Sequence, residues 1–171
     1  MRKFSVRDLT LAAMVAALYA VMGYFGNIFG LTFGPVQFRF AEALTVLPFL
    51  FPSTVPGLFV GCLIVNLLSP YGPLDIVVGS AATLIAALWT SKIKTKWFAP
   101  LPPVVCNMVL VGFTIGWAEA NGFTAAFPTA WAWNGLTVGL GELVVCYVLG
   151  LPLLALLPRL GLFQDKAAGR I

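Results

Sequence analysis

Long apolar runs follow one another along almost the whole chain, separated only by short clusters of proline, glycine and charge. In water, segments of that length have no polar face to show. In a bilayer, about 20 consecutive apolar residues cross the hydrocarbon as one helix, every backbone group bonded within the segment. The chain therefore reads as an all-α integral membrane protein. Composition points the same way: 60% of the residues are hydrophobic and 9% charged, where soluble domains average about 45–50% and 25%. The runs occupy the full 171 residues, so one membrane domain over 1–171 is expected, with no separate soluble domain.

The breakers place the helices. Arg2, Lys3, Arg7 and Asp8 precede an alanine-rich run that predicts a first helix over 9–25, longer than the apolar centre of a cleaved signal peptide. Residues 26–37 carry three glycines and Pro35, which predicts an irregular, apolar loop that covers something. A short helix over 38–51 ends at Pro52, and another covers 57–68. Both are short for an upright crossing, so they are expected to continue through Pro48 or Pro56 with kinks, or to share the depth with the preceding loop. Ser69-Pro-Tyr-Gly-Pro73 marks a turn before a helix over 74–90 that has Asp75 in its first turn. Helices over 100–117 and 133–157 follow, separated by a loop over 118–132.

Six spans put both termini on one side. Arg2, Lys3, Arg7, Lys92, Lys94, Lys96, Arg159, Lys166 and Arg170 all fall there, and cytoplasmic loops collect lysine and arginine. The termini and the lysine loop are thus expected to be cytoplasmic, and the net charge of +4 reflects topology rather than nucleic-acid binding.

Several functions are disfavoured by what the chain lacks. With no histidine, the commonest general base and metal ligand is missing. Cys62, Cys106 and Cys146 stand singly in apolar runs and read as small buried hydrophobes, not as zinc ligands or a disulfide framework. No nucleophile has a base beside it, and no Gly-x-x-x-x-Gly-Lys-Ser/Thr loop is present. No catalytic residue, metal or cofactor is expected. An intramembrane enzyme and a self-contained secondary transporter are the rival readings; the second usually shows an internal repeat, and none is evident here.

Arg39 is the one cation on the far side of the predicted topology. It stands three residues before Glu42, so the two can pair on one helical face with Phe38 and Phe40 beside them. Such a pair can be structural, tying a loop to a helix end, or it can form a recognition site at the mouth of a pocket. Asp75 and Glu119 fall at the same end, with Asn66 and Trp131 potentially close. Asn107, Asn134 and Glu142 lie within apolar runs, where polar groups need partners. For the asparagines, helix-to-helix hydrogen bonds are one option. Glu142 is either protonated and structural or partnered by a ligand or the Arg39 guanidinium. Ala12, Ala16 and Ala20 recur every four residues and offer a flat strip to another helix, inside the bundle or outside it.

The alanine strip, the long apolar first loop, six spans in fewer than 180 residues and the basic cytoplasmic ends together resemble the S components of energy-coupling factor (ECF) vitamin transporters. More specifically, Val36-Gln-Phe-Arg-Phe-Ala-Glu-Ala-Leu-Thr-Val-Leu-Pro48, Pro56-Gly-Leu-Phe-Val-Gly-Cys62, Asn66-Leu-Leu and Leu74-Asp-Ile-Val-Val-Gly-Ser80 resemble the QueT family, S components assigned to queuosine-precursor uptake. The likeness covers nearly the whole chain and is densest over 36–90.

That resemblance implies a six-transmembrane-helix bundle of the S-component type in a bacterial cytoplasmic membrane. It would be a non-catalytic subunit that binds a queuosine precursor or related 7-deazaguanine, such as the prequeuosine base or queuine, from outside and topples in the bilayer to release it inward. Ala12, Ala16 and Ala20 match the strip that docks on the membrane-embedded coupling subunit, EcfT, while two ATPases, EcfA and its paralogue, supply the energy. A deazaguanine edge carries adjacent N–H and amino donors, which a carboxylate such as Glu42 or Glu142 accepts in pairs. Its carbonyl needs a donor from Asn66, Asn107, Asn134, Gln37 or Arg39. The flat ring would gain about 1–3 kcal/mol from stacking on an aromatic, by analogy with bases, and Phe38, Phe40, Trp117, Trp131 and Trp133 are candidates. An aminomethyl ammonium would face Asp75 or Glu119. The expected substrate-binding set is therefore Arg39, Glu42, Asn66, Asp75, Asn107, Asn134, Glu142, Phe38, Phe40 and Trp131. An S component for another vitamin or nucleobase-like nutrient is the alternative within this class.

Overall fold

The computed structural model describes residues 5–33 and 36–159; the cations Arg2, Lys3, Lys166 and Arg170 lie outside the described residues. Among the described residues the chain is helical, with no strand.

Helix α1 (Val6–Ile28) opens on a capping box in which Ser5 and Asp8 each hold the other's backbone N–H. It lies along α2 (Val55–Asn66), and two glycines allow the approach. A side chain on Gly57 would collide with the Ala12 carbonyl, and one on Gly61 with Tyr19 and the Ala16 carbonyl. Helices associate in this way where the surrounding solvent is as apolar as their own side chains.

The seam fixes the rotation of α1. Ala12, Val15, Tyr19 and Gly23 face inward, while Ala13, Met14, Ala17 and Leu18 are exposed. Ala12 is therefore packed against α2, and Ala16 and Ala20 are half-buried. Two neighbouring strips with the same four-residue spacing cannot be told apart along α1 itself; the glycines opposite decide which is covered.

The helix expected over 38–51 is a 3₁₀ rod, Phe40–Phe49. Ten residues at 3₁₀ rise cover about 20 Å, against about 15 Å in α form, so the change lengthens a short segment. Local chemistry favours it. Pro48 has no N–H to give, and the Glu42 carbonyl, which an α-helix would use, accepts from Thr45 Oγ1 at 2.5 Å and Cys146 Sγ at 3.5 Å. Every residue from Ala41 to Phe49 is buried, with α1, the helix Pro73–Thr90 and the turn Cys146–Gly150 around them.

Helix α3 (Pro73–Thr90) follows a turn in which Gly72 takes a φ of 78°. The next rod is built in three pieces, α4 (Leu101–Cys106), a π turn Asn107–Val111 and α5 (Gly112–Glu119). The last repeats the plan with α6 (Phe127–Val145), a π turn Cys146–Gly150 and α7 (Leu151–Leu156). Helix α6 starts earlier than the expected residue 133, because Pro128 sits in its first turn, where a missing N–H costs nothing. Pro152 accounts for the second π turn: it cannot bond the carbonyl four residues back, and the ladder loosens ahead of it.

Among the described residues, four stretches are long and apolar enough to cross a membrane: Val6–Ile28, Pro73–Thr90, Lys96–Glu119 and Phe127–Arg159. Phe40–Phe49 and Pro52–Asn66 are apolar but shorter. Leu18, Val77, Ile85, Leu136 and Leu140 point outward, while Arg39, Glu42, Asn66, Asp75, Asn107 and Glu142 are at most 2% exposed. A soluble protein sorts these residues the other way round. Lipid suits this outer surface, and the polar chemistry is concentrated within.

Candidate functional site

Arg39 immediately precedes the 3₁₀ rod and organises a lattice of polar side chains. Its Nη2 donates to Asn66 Oδ1 at 2.8 Å, its Nε lies 4.0 Å from Glu42 Oε1, and its guanidinium sits 5.9 Å from the centre of the Phe33 ring. Asn66 in turn donates to Ser80 Oγ at 3.3 Å. The Tyr19 hydroxyl donates to Glu42 Oε1, which Thr83 Oγ1 also approaches at 3.5 Å. Cys62 Sγ lies among Arg39, Asn66 and Thr83 at 3.7, 3.4 and 3.1 Å. Asp75 accepts from Ser69 Oγ at 2.6 Å and Thr114 Oγ1 at 2.9 Å, one hydroxyl to each oxygen. Helical spacing builds this lattice: Cys62 and Asn66 are four apart on α2, and Asp75, Gly79 and Thr83 recur every four on α3.

A second set of groups is buried without hydrogen-bond partners among the described residues: Glu42 Oε2, Glu142 Oε1, and both amide atoms of Asn107 and of Gln37. Asn107 faces both carboxylates but completes a hydrogen bond to neither. The positions are set by irregular backbone. Asn107 opens one π turn, and Glu142 stands four residues before Cys146, which opens the other. Such turns re-aim side chains and recur at functional sites. Gln37 arrives from the extended loop, its backbone pressed on Gly141, where any side chain would collide. Its amide reaches toward Tyr71, whose phenol burial raises above its ordinary value and so keeps neutral.

A buried polar group left unpaired costs about 1–3 kcal/mol, and native proteins keep few of them. Here two carboxylates and an amide so placed stand together. What they can do chemically is clear from their types: the carboxylates accept, and Asn107 both donates and accepts. That combination suits a small, flat, polar solute with adjacent donors.

The structure brings Arg39, Glu42, Asn66 and Asp75 into one neighbourhood, and places Asn107 and Glu142 beside Glu42. It does not bring in Asn134 or Trp131. Asn134 Nδ2 donates to Glu119 Oε2 at 2.6 Å and to the Ala130 carbonyl at 2.9 Å. Trp131 Nε1 donates to the Val109 carbonyl at 3.0 Å, and its ring stacks on Phe127. Glu119 is exposed, so the expected convergence of four charged groups reduces to three. Phe40 is 37% exposed and Phe38 is half-buried, while Phe33 takes the place over the guanidinium. Arg39 pairs with Glu42, and among the described residues it makes no ion pair with Glu142.

Tyr19, Thr83 and Cys62 went unread as polar participants. A lone tyrosine in an alanine-rich helix, and hydroxyl and thiol residues spaced four or eight from Asn66 and Asp75, were the available signals.

Among the described residues, an apolar skin, four rods long enough to cross a bilayer and a buried polar interior define a multi-pass helical membrane protein. The sequence model of the QueT transporter family matches residues 9–159, and the chain belongs to that family. It is 33% identical over 85 residues to the protein named queuosine precursor transporter QueT from Lactococcus lactis subsp. cremoris (strain MG1363), the match spanning 50% of this chain and 50% of that protein's length. No solved structure matches the chain.

Proposed function

We propose that this chain is the substrate-binding S component of an ECF-type importer, capturing a queuosine precursor or related 7-deazaguanine from outside and delivering it inward. The observation that carries this reading is the trio Glu42, Asn107 and Glu142, buried together with acceptors and an amide unspent. One carboxylate accepts the adjacent N–H and amino donors of the deazaguanine edge, and the Asn107 or Gln37 amide donates to its carbonyl. For an aminomethyl precursor, the second carboxylate supplies the counter-charge. Asp75 is less suited to that role, since both its oxygens already accept hydroxyls.

The chain is non-catalytic in this reading, and movement is driven by the coupling subunit EcfT with the ATPases EcfA and its paralogue. The membrane is bacterial and cytoplasmic, six spans cross it, and the termini lie inside. Toppling is compatible with the surface: Arg7, Lys92, Lys94, Lys96, Glu119 and Arg159 sit at rod ends, and the charges along the body are buried, so rotation drags few charges through lipid. Docking falls to the exposed strip of α1 that carries Ala13 and Ala17.

Calorimetry of the full chain in detergent with the aminomethyl and cyano deazaguanines, queuine and guanine tests the substrate. Glu42→Gln is expected to weaken deazaguanine binding about 10- to 100-fold, the worth of hydrogen bonds to a charged group. Failure of every deazaguanine to bind folded protein would overturn the ligand assignment. Uptake by cells that express this chain without coupling subunits would instead overturn the S-component role.

A further inference from the structure

A cavity of about 600 Å³ lies at the basic end of the bundle, far from the unsatisfied carboxylates in chemistry and lining. Lys94 and Lys96 reach it from the loop after α3, and Arg159 from the end of the last rod. Its remaining wall includes Phe49, Trp97 and Leu154, and among the described residues no carboxylate lines it. We propose that this cavity holds the headgroup of an anionic phospholipid.

Three observations carry the assignment. First, three cations from two distant stretches of chain face one space, and among the described residues no anion lines it and none of the three is in an ion pair. Like charges so gathered repel unless an anion joins them. Second, the site lies at headgroup depth. The candidate spans Pro73–Thr90, Lys96–Glu119 and Phe127–Arg159 each have one end here. Trp97, itself exposed, has Lys96 Nζ 5.6 Å from its ring centre and its carbonyl accepting from the Tyr147 hydroxyl at 3.2 Å. Tryptophan and tyrosine gather at that level of a bilayer. Third, the walls are of two kinds. A free phosphate would answer the cations and leave the exposed Trp97 and Ala155 uncovered. A phospholipid covers both, phosphate on the cations and glycerol with the first acyl carbons on the apolar wall, and basic pockets between membrane helices bind headgroups in this way. The volume lies within the roughly 300–1,000 Å³ of small-molecule sites.

The test is lipid retention by the full chain. Protein reconstituted in mixed phosphatidylglycerol and phosphatidylcholine is extracted, and the bound lipid is counted by native mass spectrometry. Phosphatidylglycerol should be retained in preference, and Lys94→Gln, Lys96→Gln and Arg159→Gln should each lower that preference about fivefold, as expected for one lost cation near a membrane surface. Lys92→Gln, exposed nearby but outside the lining, should leave it unchanged. Thermal unfolding in phosphatidylcholine alone, expected to be equal for all variants, separates lost binding from lost folding. Equal retention of the two lipids by the unaltered protein would overturn the proposal, as would a full preference in the triple variant. An equal effect of Lys92→Gln would do so too, by assigning the attraction to the whole surface. Displacement of phosphatidylglycerol by inorganic phosphate alone would assign the cavity to a free anion and overturn the lipid.

Discussion

Glu42 and Glu142 are both fully buried near the centre of the bundle, and their surroundings differ. Glu42 Oε1 has the Tyr19 hydroxyl, the Thr83 hydroxyl and the Arg39 guanidinium around it. Glu142 has one thiol, Cys146 Sγ at 3.6 Å from Oε2, and among the described residues no hydrogen bond to Oε1. The Arg39 side of the interior is a closed lattice that ties α1, α2, α3 and the 3₁₀ rod together. The Glu142 side is open. Closed lattices hold folds, because removing one member strands the others; open ones gain most from an incoming molecule, because each bond it completes relieves a standing cost. The two functions are thus divided between neighbouring groups, with Glu42 as the hinge between them: one oxygen is held and the other is free.

The largest test of this division is Arg39→Met. It leaves Glu42 without its cation and Asn66 without its donor, and breaking a buried pair from one side costs about 3–5 kcal/mol. Unfolding in detergent should show a loss of that order. Glu142→Gln should behave in the opposite way, lowering deazaguanine affinity about 10- to 100-fold while the unliganded protein unfolds no more easily than before. Should both variants lose the same stability, the distinction between closed and open sides would fail.

Much of this division can be anticipated in the chain, but not its assignment. Arg39, Glu42, Asn66 and Asp75 stand out as polar residues in apolar runs, and they do gather. The same rule picks out Asn134 equally well, yet Asn134 is spent on Glu119 and its own helix. Composition marks a buried polar group as expensive without saying who meets it. Backbone form was hidden for a related reason: the 3₁₀ rod depends on Thr45 and Cys146 reaching the Glu42 carbonyl, and Cys146 lies a hundred residues away in the chain. The inward strip of α1 was hidden likewise, since only Gly57 and Gly61, on another helix, choose between Ala12 and Ala13.

A matched pair sharpens the comparison at smaller scale. Asn66→Leu and Asn107→Leu make the same chemical change at two buried asparagines. The first strands the Arg39 donor that now bonds Asn66 Oδ1 at 2.8 Å and should cost about 1–3 kcal/mol in unfolding. The second removes two atoms that have no partner in the protein, so stability should hold or rise while ligand affinity falls about tenfold, the worth of about one hydrogen bond.

Asp75→Asn is the smallest expected effect and the most discriminating about the ligand. As a buried carboxylate near the Arg39 lattice, Asp75 first reads as the counter-charge for an aminomethyl ammonium. Its geometry assigns it elsewhere: Ser69 fixes one oxygen and Thr114 the other, so it joins the loop before α3 to α5. An asparagine keeps one of these acceptors and turns its amide N–H donors toward the other hydroxyl, which can rotate to accept, so about 1 kcal/mol of stability is at stake. Affinity for the aminomethyl and the cyano deazaguanine should then stay in the ratio shown by the unaltered protein, measured side by side by calorimetry. A selective loss for the aminomethyl compound would move Asp75 from the closed side to the open one, and would mean that a fully satisfied carboxylate gives up its hydroxyls when an ammonium arrives.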